Sequence, residues 1–338
     1  MIRRYAFLAG LACAAALLAG AGGAPGALTD VADQAGRRVF PALRASDILA
    51  EAGQETTLEA GIGTGLKQEG LQDQRIQFTL GETLLGEVRT DAAGKAALKW
   101  KVPEKPADYR IRARLHPDDP MAEPVGEVEI FVAARDKDTK IVITDLDRTV
   151  VASGFFSVLA GMAKPMPGAA IVLGRLAKDH TVVYLTHRPD YFGPKSKAWL
   201  WSHDYPRGPV LLSDVRAFIK GSAAYKTAAI EQLRKRFTRI EIGIGDKVSD
   251  AAAYHANGLK AFLIVQVGAA ASAAALRAQA KSLDELPDGV QVVKGWDEIE
   301  KAVFRSAVFP RQRVQQELAQ QAAERERKAN ETQTGKKS

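Results

Sequence analysis

Cysteine is almost absent: the 338 residues contain one, Cys13. A single cysteine excludes an internal disulfide framework and a thiolate metal site. Long apolar runs are as scarce. Beyond the first two dozen residues, no stretch approaches the roughly 20 apolar residues that a membrane-spanning helix needs. Acid is in deficit, with 40 acidic residues against 47 basic ones and a net charge of +7. That balance suits phosphorylated or anionic partners, lipid surfaces and nucleic acid included, but selects none of them. A soluble protein with a basic tail would show the same balance.

The segment that does run apolar lies at the start. Ile2-Arg3-Arg4 supplies positive charge, residues 5–21 carry none, and Ala19-Gly20-Ala21 has the small-x-small form of a cleavage site. Residues 1–21 therefore read as a secretory signal peptide, and the protein is expected to be exported, periplasmic or secreted. Cys13 would leave with that segment. Gly10-Leu11-Ala12 before it, and an apolar run continuing to Leu18, fit a lipid-attachment cysteine poorly.

With 46% hydrophobic residues, a chain of this length has material for two cores. Residues 22–52 read as a leader, with a short helix over 47–52 capped by Ser46. Across 53–135, short alternating runs at 56–62, 75–80, 84–89, 96–102, 109–115 and 125–132 are separated by turn-rich pieces such as Asp91-Ala92-Ala93-Gly94. That spacing predicts a small antiparallel β-sandwich, immunoglobulin-like in general shape. No catalytic constellation falls in it, and its partner is not specified.

The rhythm changes at Lys140. Compact apolar runs at 141–144, 181–185, 209–212, 240–244, 261–265 and 290–293 alternate with helical stretches at 167–178, 195–203, 225–237 and 250–257. Residues 136–305 are thus expected to form an α/β domain around a Rossmann-like parallel sheet. Residues 306–338 are rich in Gln, Glu, Arg and Lys and read as a solvated helix fraying into a basic end.

In such sheets the reactive groups gather beyond the carboxyl ends of the strands. The first run ends in Asp145, with Asp147 two residues on and on the same side of an extended chain. The second ends in Thr186, followed by His187 and Arg188. The fourth ends in Gly245-Asp246, with Asp250 four residues later, and Lys226 precedes it by one helix. Two carboxylate pairs, a hydroxyl and an ammonium converge. Carboxylate oxygens are the hard ligands that Mg²⁺ prefers. A cation and an ammonium would neutralise a phosphoryl dianion. One Asp can attack phosphorus while a second protonates the leaving oxygen.

Asp145-Leu146-Asp147-Arg148-Thr149, Thr186, Lys226 and Gly245-Asp246-Lys247-Val248-Ser249-Asp250 resemble, in order, the four motifs of the haloacid dehalogenase-like (HAD) superfamily. They stand roughly forty, forty and twenty residues apart. The resemblance implies Asp145 as nucleophile and Mg²⁺ ligand. It implies Asp147 as general acid/base, its backbone carbonyl also on the metal, with Thr186 and Lys226 on the phosphoryl group and Asp246 and Asp250 at the metal. Lys220 is a rival for the role of Lys226. His187 reads as a supporting group, and Arg188 as a further ligand for substrate phosphate. Many members have Gly where this chain has Arg148.

The gaps between motifs leave no room for a large cap, so an open site suited to bulky substrates is expected. Tyr184-Leu185-Thr186-His187-Arg188-Pro189, Lys197-Ala198-Trp199-Leu200, Gly208-Pro209-Val210-Leu211-Leu212-Ser213, Tyr225-Lys226 and the run from Gly243 to Tyr254 further resemble lipin-type phosphatidate phosphatases. Lipins tend to have Asn at the place of Asp246 and Ser at that of Thr186. The resemblance implies hydrolysis of phosphatidate to diacylglycerol and phosphate. A phosphatase for soluble or polymer-linked phosphomonoesters, and a non-catalytic phospholipid- or partner-binding protein, are the alternatives. No nucleic-acid partner is expected.

Overall fold

The computed structural model describes residues 31–32, 38–39, 41–64, 69–154, 162–213, 221–268 and 270–334. The expected signal peptide, Cys13 and Lys220 lie outside them. Among the described residues, no helix is long and apolar enough to cross a membrane.

The N-terminal unit is built of β-strands, with one short helix at Ala122–Val125. Its strands are Val31–Ala32 (β1), Arg38–Val39 (β2), Ala42–Ala45 (β3), Ile48–Glu51 (β4), Glu55–Thr64 (β5), Glu69–Gly70 (β6), Arg75–Leu80 (β7), Thr83–Arg89 (β8), Lys95–Lys101 (β9), Ala107–Leu115 (β10) and Glu127–Arg135 (β11). Two sheets face each other: β4-β11-β10-β7-β8, and β3-β5-β6 with β9 also on β5. Alternation does the sorting. In β10, Ile111, Ala113 and Leu115 are buried, whereas Arg110, Arg112 and Arg114 are exposed.

The leader was expected to hold a helix at 47–52. It holds β4 instead, paired in parallel with β11 from Val132 to Arg135. The run is too short for periodicity to separate helix from strand, and pairing decides. Leu49 faces the α/β core and Ala50 the sandwich core, so both faces of β4 are covered. β11 is two-faced in the same way. Val128, Ile130, Val132 and Ala134 fill the sandwich, while Phe131 and Ala133 join the α/β core.

The α/β unit runs Ile141–Thr144 (β12), Ala169–Leu176 (α1), Thr181–Pro189 (β13), Gly193–Ser202 (α2), Val210–Ser213 (β14), Ser222–Arg234 (α3), Ile240–Gly245 (β15), Val248–Ala256 (α4), Lys260–Ile264 (β16), Ala273–Ser282 (α5), Gln291–Val293 (β17) and Trp296–Phe304 (α6). The sheet is parallel, in the order β14-β13-β12-β15-β16-β17. The chain builds outward from β12 in one direction and then returns to place β15 on its other side. The switch point therefore lies between the carboxyl ends of β12 and β15, where such sheets bind ligands. Gly243 lets α4 approach there: a Cβ on it would stand 2.4 Å from the Tyr254 side chain.

A final helix, Arg311–Thr334 (α7), corrects the reading of a solvated tail. Val314, Leu318 and Ala322 are buried in the α/β core, in contact with the sheet and α5. Their i, i+4, i+8 spacing makes one narrow stripe on an otherwise polar helix. Arg313 pairs with Glu298 at 2.7 Å, and Lys294 with Glu317 at 3.1 Å. Leu318→Ala is expected to destabilise the protein by about 2–4 kcal/mol, the usual range for a buried Leu truncation, measured by urea unfolding. A solvated tail would give no change.

Candidate active site

Asp145 and Asp147 follow the carboxyl end of β12. The Asp145 amide donates to the Ile244 carbonyl of β15 at 2.9 Å, which ties the first motif to the strand carrying the last. Beyond Asp147 the chain turns through Arg148, whose φ of 57° is left-handed. The turn is pinned from outside: the Tyr205 hydroxyl donates to the Val150 carbonyl at 2.6 Å, and the Trp296 indole N–H to that of Thr149 at 2.7 Å.

The left-handed φ gives a physical reason for glycine at this position in related motifs, since glycine alone adopts it without steric cost. The Arg148 side chain itself is exposed.

Lys226, in the second turn of α3, is completely buried. Its Nζ lies 3.0 Å from Asp145 Oδ1 and donates to Asp250 Oδ2 at 2.5 Å. Burial alone would lower the ammonium, but Asp145, Tyr254 and Asp250 outweigh it and hold it well above its usual range.

Asp145, Asp246 and Asp250 each bring a carboxylate oxygen within 4.8 Å of the others. Burial, then the charge of Asp145, pushes the Asp246 carboxyl up to about 7. Asp250 is likewise raised, chiefly by burial, although Lys226 pulls it down. Asp246 Oδ1 and Asp250 Oδ1 are buried without a hydrogen-bond partner. Three carboxylates against one ammonium leave about two negative charges, which exposed Lys247 offsets only in part. An all-oxygen donor set with that charge fits a hard divalent cation such as Mg²⁺.

Asp147 stands apart from this group. Its side chain is 27% exposed, and its carboxylate is gripped by the Arg188 fork: Nε donates to Oδ2 at 3.1 Å and Nη2 to Oδ1 at 2.7 Å. The Asp147 carboxylate lies outside the cluster of Asp145, Asp246 and Asp250. Arg188 is turned to that carboxylate. It is 3% exposed and its fork is spent on Asp147. Thr186 is buried in β13, two residues past Tyr184, which pairs with Thr144 of β12. His187 lies against Tyr225, with ring centroids 6.0 Å apart.

Sequence reading missed Ser196, whose hydroxyl accepts from Arg188 Nη1 at 2.9 Å. It also missed Asp47, for which no local motif gives a signal. Its carboxylate accepts from Lys197 Nζ at 2.9 Å and from the amides of Phe131 and Val210.

Residues 142–268, a little over a third of the chain, match the family model described as the PITM 1-3 LNS2 domain. The match contains every candidate site residue from Asp145 to Asp250. An LNS2 domain is lipin-like with a HAD-like fold, so this part of the chain is similar to a HAD-like phosphatase. No curated protein compared with the chain matches it. A protein of Mesorhizobium loti described as a HAD-like phosphatase is 14% identical, with 64% of this chain aligned to 95% of that one at a TM-score of 0.36. A chain of the Pnkp1/Rnl/Hen1 RNA repair complex is 19% identical over 38% of this chain, at a TM-score of 0.34; this chain spans 44% of its length.

The raised Asp246 carboxyl has a sign consequence for stability. With its folded value near 7 and an ordinary unfolded value, the folded state binds more protons between about pH 4 and 7. Stability without divalent cation should therefore fall as pH rises through that window. Added Mg²⁺ should flatten the slope, and Asp246→Asn should reduce it, leaving the part that Asp250 contributes. Melting temperatures from pH 5 to 8, with EDTA or with Mg²⁺, check this. A cation-free protein that grows more stable toward pH 7 contradicts it.

Proposed function

We infer that the chain is a Mg²⁺-dependent phosphomonoesterase working through an aspartyl-phosphate, with phosphatidate as its substrate. The observation that carries the reading is buried Lys226 bridging Asp145 and Asp250 at the sheet's switch point, with Asp147 partly exposed beside them.

An Oδ of Asp145 attacks phosphorus. The P–O bond to the leaving group breaks, and the Asp147 carboxyl gives that oxygen its proton. Asp147, now a carboxylate, takes a proton from water, whose oxygen attacks the phosphoryl group and releases phosphate and free Asp145. Lys226 and Thr186 offset the charge of the phosphoryl oxygens. Asp145, Asp246 and Asp250 would hold Mg²⁺, which when bound offsets negative charge in the transition state.

The lipid assignment is supported by a groove of about 910 Å³ beside the Asp147 turn. Its lining includes Ala152, Met166, Ile171, Val265, Val267 and Trp296, and Ile171 is 72% exposed. Gln266 ties it to the turn by donating to the Arg148 carbonyl at 3.4 Å. An acyl chain emerging from a headgroup at Asp145 would find apolar surface there. Export is proposed from residues 1–21, which lie outside the described residues.

Asp145→Asn should lower turnover of any phosphomonoester by more than about a thousandfold, the scale of losing a nucleophile. An Asp145→Asn protein that hydrolyses at the wild-type rate refutes the assignment. Ile171→Asp with Val267→Asp should lower the rate ratio of phosphatidate in mixed micelles to glycerol 3-phosphate by about tenfold, as the loss of some 50 Å² of apolar contact predicts. An unchanged ratio points to soluble phosphomonoesters instead.

A further inference from the structure

Four buried charged or polar side chains outside the carboxylate cluster form a chain leading back from Asp147 into the sandwich. The Arg188 fork holds both Asp147 oxygens. Arg188 Nη1 donates to Ser196 Oγ at 2.9 Å, and Ser196 is 1% exposed. The next residue of α2, Lys197, is 7% exposed and reaches the other way. Its Nζ donates to Asp47 Oδ1 at 2.9 Å and to the Glu129 carbonyl at 2.7 Å.

Asp47 and Glu129 belong to the sandwich. Asp47 is 3% exposed and takes two further bonds, from Phe131 in β11 and from Val210 in β14. One carboxylate thus joins β11, α2 and β14. The base of the Arg188 segment is fixed separately, by the Ser213 hydroxyl donating to the carbonyls of His187 and Arg188 at 3.2 Å.

Isolated charges in such surroundings are costly, and each here is matched by a partner in fixed geometry. A bidentate guanidinium–carboxylate pair restricts the acid's plane as well as its place. Proton transfer is sensitive to both. We propose that Arg188 is the positioning residue for Asp147, and that the sandwich completes its support by locking α2 through Asp47 and Lys197. The inference rests on the phosphatase reading and assigns the sandwich a role in the chemistry rather than in recruitment alone.

The test compares two substrates in the full-length protein with Mg²⁺ present. Glycerol 3-phosphate has a basic leaving oxygen that needs a proton. p-Nitrophenyl phosphate has an acidic one that leaves without help. In Arg188→Ala, kcat/KM should fall on the order of 100-fold for the glycerol ester and less than about threefold for the aryl ester, the difference being the value of a positioned general acid. The second step still needs Asp147 as base. The aryl ester should therefore show a burst of one nitrophenolate per enzyme followed by slow turnover.

Added guanidinium ion at non-denaturing concentration should restore part of the lost activity. Ser196→Ala, which removes one bond and leaves no charge stranded, should show the same split at a smaller size with an unchanged melting temperature. Asp47→Asn should show it as well.

Equal losses on both esters, as a phosphate-binding arginine would give, overturn the positioning role. A folded Asp47→Asn protein without the split removes the sandwich from it. Asp145→Asn separates the two levels: its inactivity on both esters supports the phosphatase reading whatever Arg188 does. A wild type that turns over neither ester overturns reading and inference together.

Discussion

An ammonium with no exposed surface, set among carboxylates, constrains most of the α/β domain. Lys226 loses its water on folding, and Asp145 and Asp250 must replace it. That requirement docks the start of α3 against the end of β12 and the first turn of α4. It also sets how closely α4 lies on β15. Gly243 faces the Tyr254 ring, and a Cβ on Gly245 would stand 3.2 Å from that of Asp250. The glycine of the G-D-x-x-x-D run therefore serves packing as directly as the aspartates serve chemistry. Because one ammonium cannot balance three carboxylates, the arrangement is complete as a charge set only with a further cation. The same imbalance suits the cluster to a hard divalent cation.

The α/β core was legible because its strands are buried on both faces. A parallel strand under two helical layers reads as an unbroken apolar run, and 141–144 appears in the structure with the same bounds. The carboxylate cluster was legible for a related reason: its members lie at strand ends, where sequence position and spatial position coincide. Arg188 lies at such an end too, yet its pairing with Asp147 was not read. Residue type says that a guanidinium seeks an anion, but substrate phosphate and the Asp147 carboxylate both qualify, and only the geometry chooses between them. The packing of α7 escaped notice because the three residues it buries barely alter the composition of a polar helix of 24. β4 was misread because four residues hold too little periodicity to count.

The junction between the two units was the least legible part, and its physics is long-range. Asp47 and Lys197 stand 150 positions apart, and only Lys197 lies in a run with a recognisable resemblance. What could have been noticed is β11. Its run Val128-Glu129-Ile130-Phe131-Val132-Ala133-Ala134 is almost continuously apolar, unlike the strict alternation of β10. A strand of an antiparallel sheet loses alternation when its outer face is covered as well. Phe131 and Ala133 turn outward from the sandwich into the core that also holds Ile141 and Ile143. The chain enters β12 six residues after leaving β11, so the shared strand and the first catalytic strand are nearly contiguous. Arg135, at the end of β11, adds a bond to Thr181 at the start of β13. The units share one core and are joined by buried charge, which makes a hinge between them costly.

That rigidity bears on Arg148, which has no chemical role in the first motif. Arg148 adopts a left-handed conformation at a cost of about 1–2 kcal/mol relative to glycine's freedom there. A loose loop would relax such strain by moving, and Asp147 would move with it. Here the relaxation is blocked on three sides. The Leu146 carbonyl accepts from the amides of Thr149, Val150 and Val151, Tyr205 and Trp296 hold the outgoing carbonyls, and Arg188 holds the Asp147 carboxylate. The position is therefore specified by backbone geometry rather than by its side chain. Arginine is tolerated where glycine would be easiest because the surrounding contacts are strong enough to impose the turn on it.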